Sequence, residues 1–171
     1  MNAIAYTYKK GNKKKDLIIP CHITGILDSG HAPKIPKAED YEMFGIIDTG
    51  ANSSAISKEL ADHLGLIPIG AKKTIFSANG EFETDLFIID LHLSDDIVIE
   101  GLVVSELKNI EGFQFFIGLD VILKGDFAIE SGADYFTVKY RYPCQGNSNI
   151  KVKPTLLKTY QEKLAEEKAK K

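Results

Sequence analysis

Apolar residues recur along this chain with the two-residue period of strands, and only briefly with the longer period of helices. The clearest alternation sets Phe82, Thr84, Leu86 and Ile88 against Glu81, Glu83 and Asp85. It follows Lys73–Ser77 across Asn79-Gly80, a pair suited to the two positive φ angles of a type I′ hairpin turn. Ile88–Leu93 continues as strand, Asp95-Asp96 marks a turn, and Ile97–Val104 forms the next strand. Nearer the start, Ala3–Tyr8, Leu17–Leu27 and Tyr41–Ile47 read as strands, with Pro20 placing the second at an edge or a bulge. Phe127–Glu130 and Tyr135–Tyr140 predict a closing hairpin around Ser131–Asp134, ended by Pro143.

Helical signals are fewer. Ser57–Leu64 predicts a short helix with Ser57 as N-cap, Glu59 in the first turn and Gly65 at C′. His63 then sits where the helix dipole favours it, which explains it without catalysis. A one-turn helix follows Phe116-Ile117-Gly118, with Asp120 as its cap and Gly125 as its end. Leu156, Leu157, Tyr160 and Leu164 recur at helical spacing in a Lys/Glu-rich tail, which predicts either an amphipathic helix or a solvated terminus. About eight to ten short strands joined by hairpins predict an all-β, mainly antiparallel, barrel-like domain.

Composition narrows the function classes. The 171 residues fit one domain, and 44% hydrophobic content gives it a sizeable core. A net charge of -3 gives no reason to expect a nucleic acid as partner. The basic run Lys9–Lys15 reads as a solvated loop. Cys21 and Cys144 match no metal or redox spacing and read as free thiols of a reducing compartment. The first residues lack a signal-peptide pattern, and no apolar run approaches the roughly 18 residues that span a bilayer. The expectation is a cytoplasmic protein with no membrane association.

One stretch carries chemistry. The apolar strand ending in Ile46-Ile47 delivers Asp48 into a turn with Thr49 and Gly50. A carboxylate at the end of a buried strand is costly unless it is hydrogen-bonded or chemically needed. Taken alone, Asp-Thr-Gly is an ordinary turn. Asp28-Ser29-Gly30 mimics it but leads into a Pro-rich loop, so residues 28–40 read as a turn between strands. Two other features stand beside Asp48: the protruding hairpin tipped by small residues, and the unit Phe116-Ile117-Gly118-Leu119-Asp120-Val121-Ile122 some 70 residues later.

In Ile46–Ser54, in that later hydrophobic-Gly unit and in the hairpin between them, the chain resembles the retropepsin-like aspartic proteases of the cellular and bacterial single-domain type. The resemblance covers roughly residues 17–140. Viral members usually carry an Asp and an Arg that pair; the corresponding positions here are Asn52 and Leu119. The resemblance implies a retropepsin-like closed antiparallel β barrel with a flap hairpin and one or two short helices. It implies a protease domain at 17–143, preceded by a strand and basic loop at 1–16 and followed by a polar linker and tail at 144–171. It further implies an aspartic endopeptidase working on a peptide or protein substrate without cofactor or metal. Because the chain holds one such motif, the second catalytic Asp48 is expected from another copy in a homodimer. Thr49 and Gly50 would support the carboxylates, and Ala51 and Asn52 would contact substrate. Ser77, Ala78, Asn79 and Gly80 would form the flap tip. The rival expectation is a non-catalytic binding or dimerisation module of the same fold.

Overall fold

The computed structural model of the chain describes residues 2–10, 17–25, 43–77, 80–107 and 113–157. In chain order these form β1 (Ala3–Lys9), β2 (Ile18–Gly25), β3 (Met43–Ile47), β4 (Ala55–Ser57), α1 (Lys58–His63), β5 (Lys72–Ser77) and β6 (Gly80–Ser94). There follow β7 (Ile97–Leu107), β8 (Phe115–Ile117), α2 (Leu119–Ile122), β9 (Asp126–Ser131), β10 (Tyr135–Arg141) and β11 (Thr155–Leu156). Strands dominate, as the alternation predicts. The expected turn at 28–40 with Asp28, most of the basic run, Ala78 and Asn79 of the expected flap tip, and the tail from Lys158 lie outside the described residues.

The chain forms two compact units, Asp16–Leu123 and Met1–Lys15 with Lys124–Lys171. In the first, strands hydrogen-bond in the order β2-β3-β8-β4-β7-β6, and β6 returns to β2, closing a barrel of six described strands. Closure removes the exposed edges that an open sheet would offer. β5 pairs only with β6 and stands outside the ring. β2 pairs with β3 through Ile18–Cys21 and then with β6 through His22–Gly25. Pro20 therefore lies where the strand is paired on one side, as a residue without an N–H requires. Two pairings are parallel, β3 with β8 and β4 with β7. Both bring together segments distant in sequence.

Ile56, Ile89, Ile97, Val104 and Phe115 are wholly buried in this unit. Each contributes roughly 1.5–3 kcal/mol by leaving water. The alternation along β6 changes phase on the way. Thr84 is buried in the hairpin, but further along the buried residues are Phe87, Ile89, Leu91 and Leu93, while Leu86 and Ile88 are half-buried. The change falls where β6 exchanges β5 for β7 at Asp85/Leu86. Counting alternate residues through a change of partner therefore puts Leu86 and Ile88 in the wrong set. α1 matches expectation closely: the Leu60 N–H donates to Ser57 Oγ at 3.1 Å, and Gly65 takes φ +66° beyond the C-terminus.

The second unit is a sheet in the order β11-β1-β10-β9. Thr7 and Thr137 join their hydroxyls across β1 and β10 at 2.8 Å, and the Tyr8 and Phe136 rings stack at 4.9 Å. Leu156, read as the first residue of a helical stripe, instead pairs with Thr7 as part of β11. Both cysteines are free, Cys21 buried and Cys144 exposed. Among the described residues no helix is long and apolar enough to cross a membrane.

Candidate active site

β3 can run beside β8 because Gly45 has no side chain. A Cβ there would lie 2.8 Å from Ile117 Cδ1 and 3.2 Å from Cys21 Sγ. The ladder continues one residue beyond the strand, where the Asp48 N–H donates to the Ile117 carbonyl at 2.9 Å. The chain then turns. The Ala51 N–H reaches the Asp48 carbonyl at 3.2 Å, and the Gly50 N–H reaches Asp48 Oδ1 at 2.9 Å. Asp48 is half-buried, and its Oδ2 has no hydrogen-bond partner among the described residues. Thr49, Gly50 and Asn52 are exposed, and Ala51 is half-buried.

After the turn the chain crosses the end of β8 and becomes β4 on its other side, so β8 lies between the two segments. This crossing is tight. A Cβ on Gly118 would sit 2.6 Å from the Ser53 carbonyl carbon and 2.9 Å from the Ser54 nitrogen. The Leu119 N–H donates to the Ala51 carbonyl at 2.9 Å. Ser54, fully buried, accepts from the Gly118 N–H at 3.0 Å and donates its hydroxyl to Asp120 Oδ1 at 2.7 Å. Its own N–H donates to Asp120 Oδ2 at 2.8 Å. Asp120 is thus no helix cap. Gly118 is the N-cap of α2 without a side-chain bond, and the Asp120 carboxylate is turned onto Ser54. The sequence pattern assigns Ser54 no role and Asp120 the wrong one. Their separation of 66 residues hides the contact, and it is the pairing of β8 with β3 on one side and β4 on the other that brings the segments together.

The hairpin of β5 and β6 carries the remaining candidates. Ser77 pairs with Gly80, so Gly80 belongs to β6, whereas the Asn79-Gly80 reading puts it in the turn. Gly80 takes φ +117°. Lys73, on β5, donates from Nζ to Ser53 Oγ at 2.7 Å and so links the hairpin to the turn that carries Asp48. No group of three or more His, Cys, Asp or Glu able to hold a metal occurs among the described residues.

Chemically, this is one carboxylate fixed through its backbone on both sides, with one oxygen held and the other open. A family model described as aspartyl protease matches residues 38–121, the segment from β3 through α2. Among solved structures, a retropepsin-like aspartic protease from Rickettsia conorii matches at 15% identity with a TM-score of 0.52. That match covers 81% of this chain and 92% of the other. The retroviral protease-like domain of Ddi1 from Leishmania major matches at 16% identity and a TM-score of 0.43, covering 69% and 83%. No curated protein matches the chain. The chain is therefore similar to the aspartyl proteases through its central segment, and its barrel is retropepsin-like in fold.

Proposed function

We propose that the chain is an aspartic endopeptidase that acts as a homodimer, with Asp48 of each copy forming the catalytic pair. The observation that carries this reading is the half-exposed Asp48 carboxylate, held by the Gly50 N–H on one oxygen and without a partner on the other among the described residues. A solitary carboxylate cannot serve as both acid and base. Two brought to about 3 Å cannot both ionise, so one keeps a proton and the pair divides the roles. The ionised member takes a proton from a water lying between them, and that water attacks the scissile carbonyl. The protonated member gives its proton to the carbonyl oxygen. On collapse of the tetrahedral intermediate, a proton passes to the leaving amine. The two protons belong to the pair rather than to either residue.

In this reading Thr49 hydrogen-bonds across the two-fold axis and Gly50 orients the carboxylate. Ala51 and Asn52 border the bound peptide, while Ser77, Ala78, Asn79 and Gly80 close over it. An extended peptide binds by strand-like hydrogen bonds with side chains in alternate pockets. The test is pepstatin-sensitive cleavage of an unfolded protein at mildly acidic pH, with sedimentation to give the oligomeric state. Cleavage by a dimer, abolished in Asp48→Asn and retained in Asp28→Asn, supports the proposal. A folded wild-type dimer that cleaves nothing across the acidic to neutral range overturns it in favour of a binding module.

A further inference from the structure

Lys73 is the one lysine of the β5–β6 hairpin without a carboxylate partner among the described residues. Cross-strand partners share a face of a hairpin. Lys72 pairs with Asp85, Thr74 with Glu83 and Phe76 with Glu81, so every acidic residue of the paired segment lies on one face. Lys72 is neutralised there, with Nζ 3.0 Å from Asp85 Oδ1. The opposite face carries Lys73 with Thr84 and Ile75 with Phe82. Thr84 is buried and donates its hydroxyl to the Glu106 carbonyl of β7, so this is the face turned toward the barrel. Lys73 is half-buried on it and donates to Ser53 Oγ, five residues beyond Asp48 in the same turn.

An ammonium has three donors, and Ser53 takes one. A half-buried cation with an uncharged partner is underserved, and a carboxylate beside it would gain a charge-assisted bond. Half-buried Ile75 and exposed Phe82 form the next cross-strand pair on this face, and apolar neighbours that lower the local dielectric strengthen such a bond. We infer that Lys73 and Ser53 form a specificity subsite for an acidic side chain, Asp or Glu, of an extended peptide lying between the hairpin and the Asp48 turn. This rests on the proteolytic reading for where the peptide lies, and on the structure for the charge that meets it.

The experiment uses an extended octapeptide of neutral residues in which Glu, and in parallel Gln, is placed at each position in turn. Cleavage by the wild type, Lys73→Gln and Lys73→Glu is followed by mass spectrometry. Binding of the same peptides is measured by competition on Asp48→Asn and on Asp48→Asn combined with Lys73→Gln, which needs no turnover. At one position Glu is expected to be favoured over Gln about tenfold, the gain of one charge-assisted bond. The preference disappears in Lys73→Gln, reverses in Lys73→Glu and shrinks with added salt. Glu and Gln handled alike at every position overturns the subsite, and cleavage of the peptides in that case leaves the protease reading standing. Selective binding of Glu peptides through Lys73 by a chain that cleaves nothing supports the subsite and overturns proteolysis.

Discussion

Asp48 and Asp126 each stand at the end of a strand, with a loop folded around the carboxylate. Asp126 is buried and accepts from Arg141 Nε at 2.9 Å and Nη2 at 2.6 Å, and from the Cys144 thiol at 3.1 Å. The backbone N–H groups of Gln145, Gly146 and Asn147 close around it at 2.8, 3.0 and 3.2 Å. The Gln145 N–H does most to hold this carboxyl below the usual carboxylate range. Burial opposes it, and Arg141 and Cys144 add to it. Among the described residues, the Asp48 carboxylate receives one N–H and keeps an oxygen open. A carboxylate that organises a loop is saturated with donors, and one meant to exchange protons with substrate must keep a free oxygen. Asp120 lies between the extremes, with both oxygens given to one residue, Ser54.

The comparison is broken most directly by substituting both carboxylates. Asp48→Asn should lower peptide cleavage by roughly 10²–10⁴-fold, the share general acid–base catalysis carries. Its thermal midpoint should stay near that of the wild type, because a single hydrogen bond is altered at a half-exposed site. Asp126→Asn should do the reverse. An amide nitrogen would face backbone N–H donors and Arg141 would lose its counter-charge, so the midpoint falls while activity per folded molecule is kept. Calorimetry and active-site titration on the two variants separate the effects. Asp48→Asn that unfolds the protein would show that the open carboxylate is structural after all.

Gly118→Ala sharpens the same contrast from the backbone side. The added methyl would press on the Ser53 carbonyl at 2.6 Å, and backbone cannot rotate away as a side chain can. The expected cost is about 1–3 kcal/mol in chemical denaturation, with a loss of activity larger than the fraction unfolded explains. Ser54→Ala comes next. It strips the acceptor from the Gly118 N–H and the hydroxyl donor from Asp120, at about 1–3 kcal/mol for the groups left unsatisfied. Asp120→Asn keeps the volume and one acceptor, so it should cost less. A lowered kcat with KM unchanged in both would mark them as residues that position Asp48 rather than bind peptide.

How much of this was legible beforehand follows from the range of each interaction. α1 and its Ser57 cap are set by neighbours within four residues, and they stand where the sequence puts them. The strands and the Asp48 turn are local patterns too, and the family resemblance already links the turn to Phe116–Ile122. What stayed hidden depends on which strands meet. The phase change in β6 comes from an exchange of partners, and Leu156 turned from helix stripe to strand because β1 offered it an edge. Ser54 with Asp120 and Lys73 with Ser53 join segments that no periodicity connects. The resemblance sets the ion pair of viral retropepsins at the positions that Asn52 and Leu119 hold in this sequence. Here the Leu119 N–H on the Ala51 carbonyl and the Ser54–Asp120 bonds tie the same two segments without opposite charges.

The smallest expected effect concerns acid, the condition set for the proposed cleavage assay. His22 and His92 face each other across β2 and β6, with ring centroids 5.6 Å apart. His92 Nε2 lies 3.1 Å from Thr24 Oγ1, whereas the buried Nε2 of His22 has no partner among the described residues. Asp90, on the same face, is occupied by the Gly101 N–H at 2.8 Å. Burial, and then the charge of His92, push the His22 pKa below its ordinary value of 6.5. A group whose pKa is depressed by folding contributes its stability above the unfolded value and loses it as pH falls through the folded one. Wild-type thermal midpoints should therefore decline as pH drops below about 6.5, and the decline should be shallower in His22→Gln. The sealed Asp126 has the same sign but a lower window, holding its stability until pH falls below the ordinary carboxylate value of 3.8. Two separate declines in the wild type, the upper one removed by His22→Gln and the lower one by Asp126→Asn, would assign each step to its residue. The upper step should be modest, because His22 is only half-buried and solvent screens its charge. If it persists unchanged in His22→Gln, the unpartnered nitrogen is not what acid attacks first.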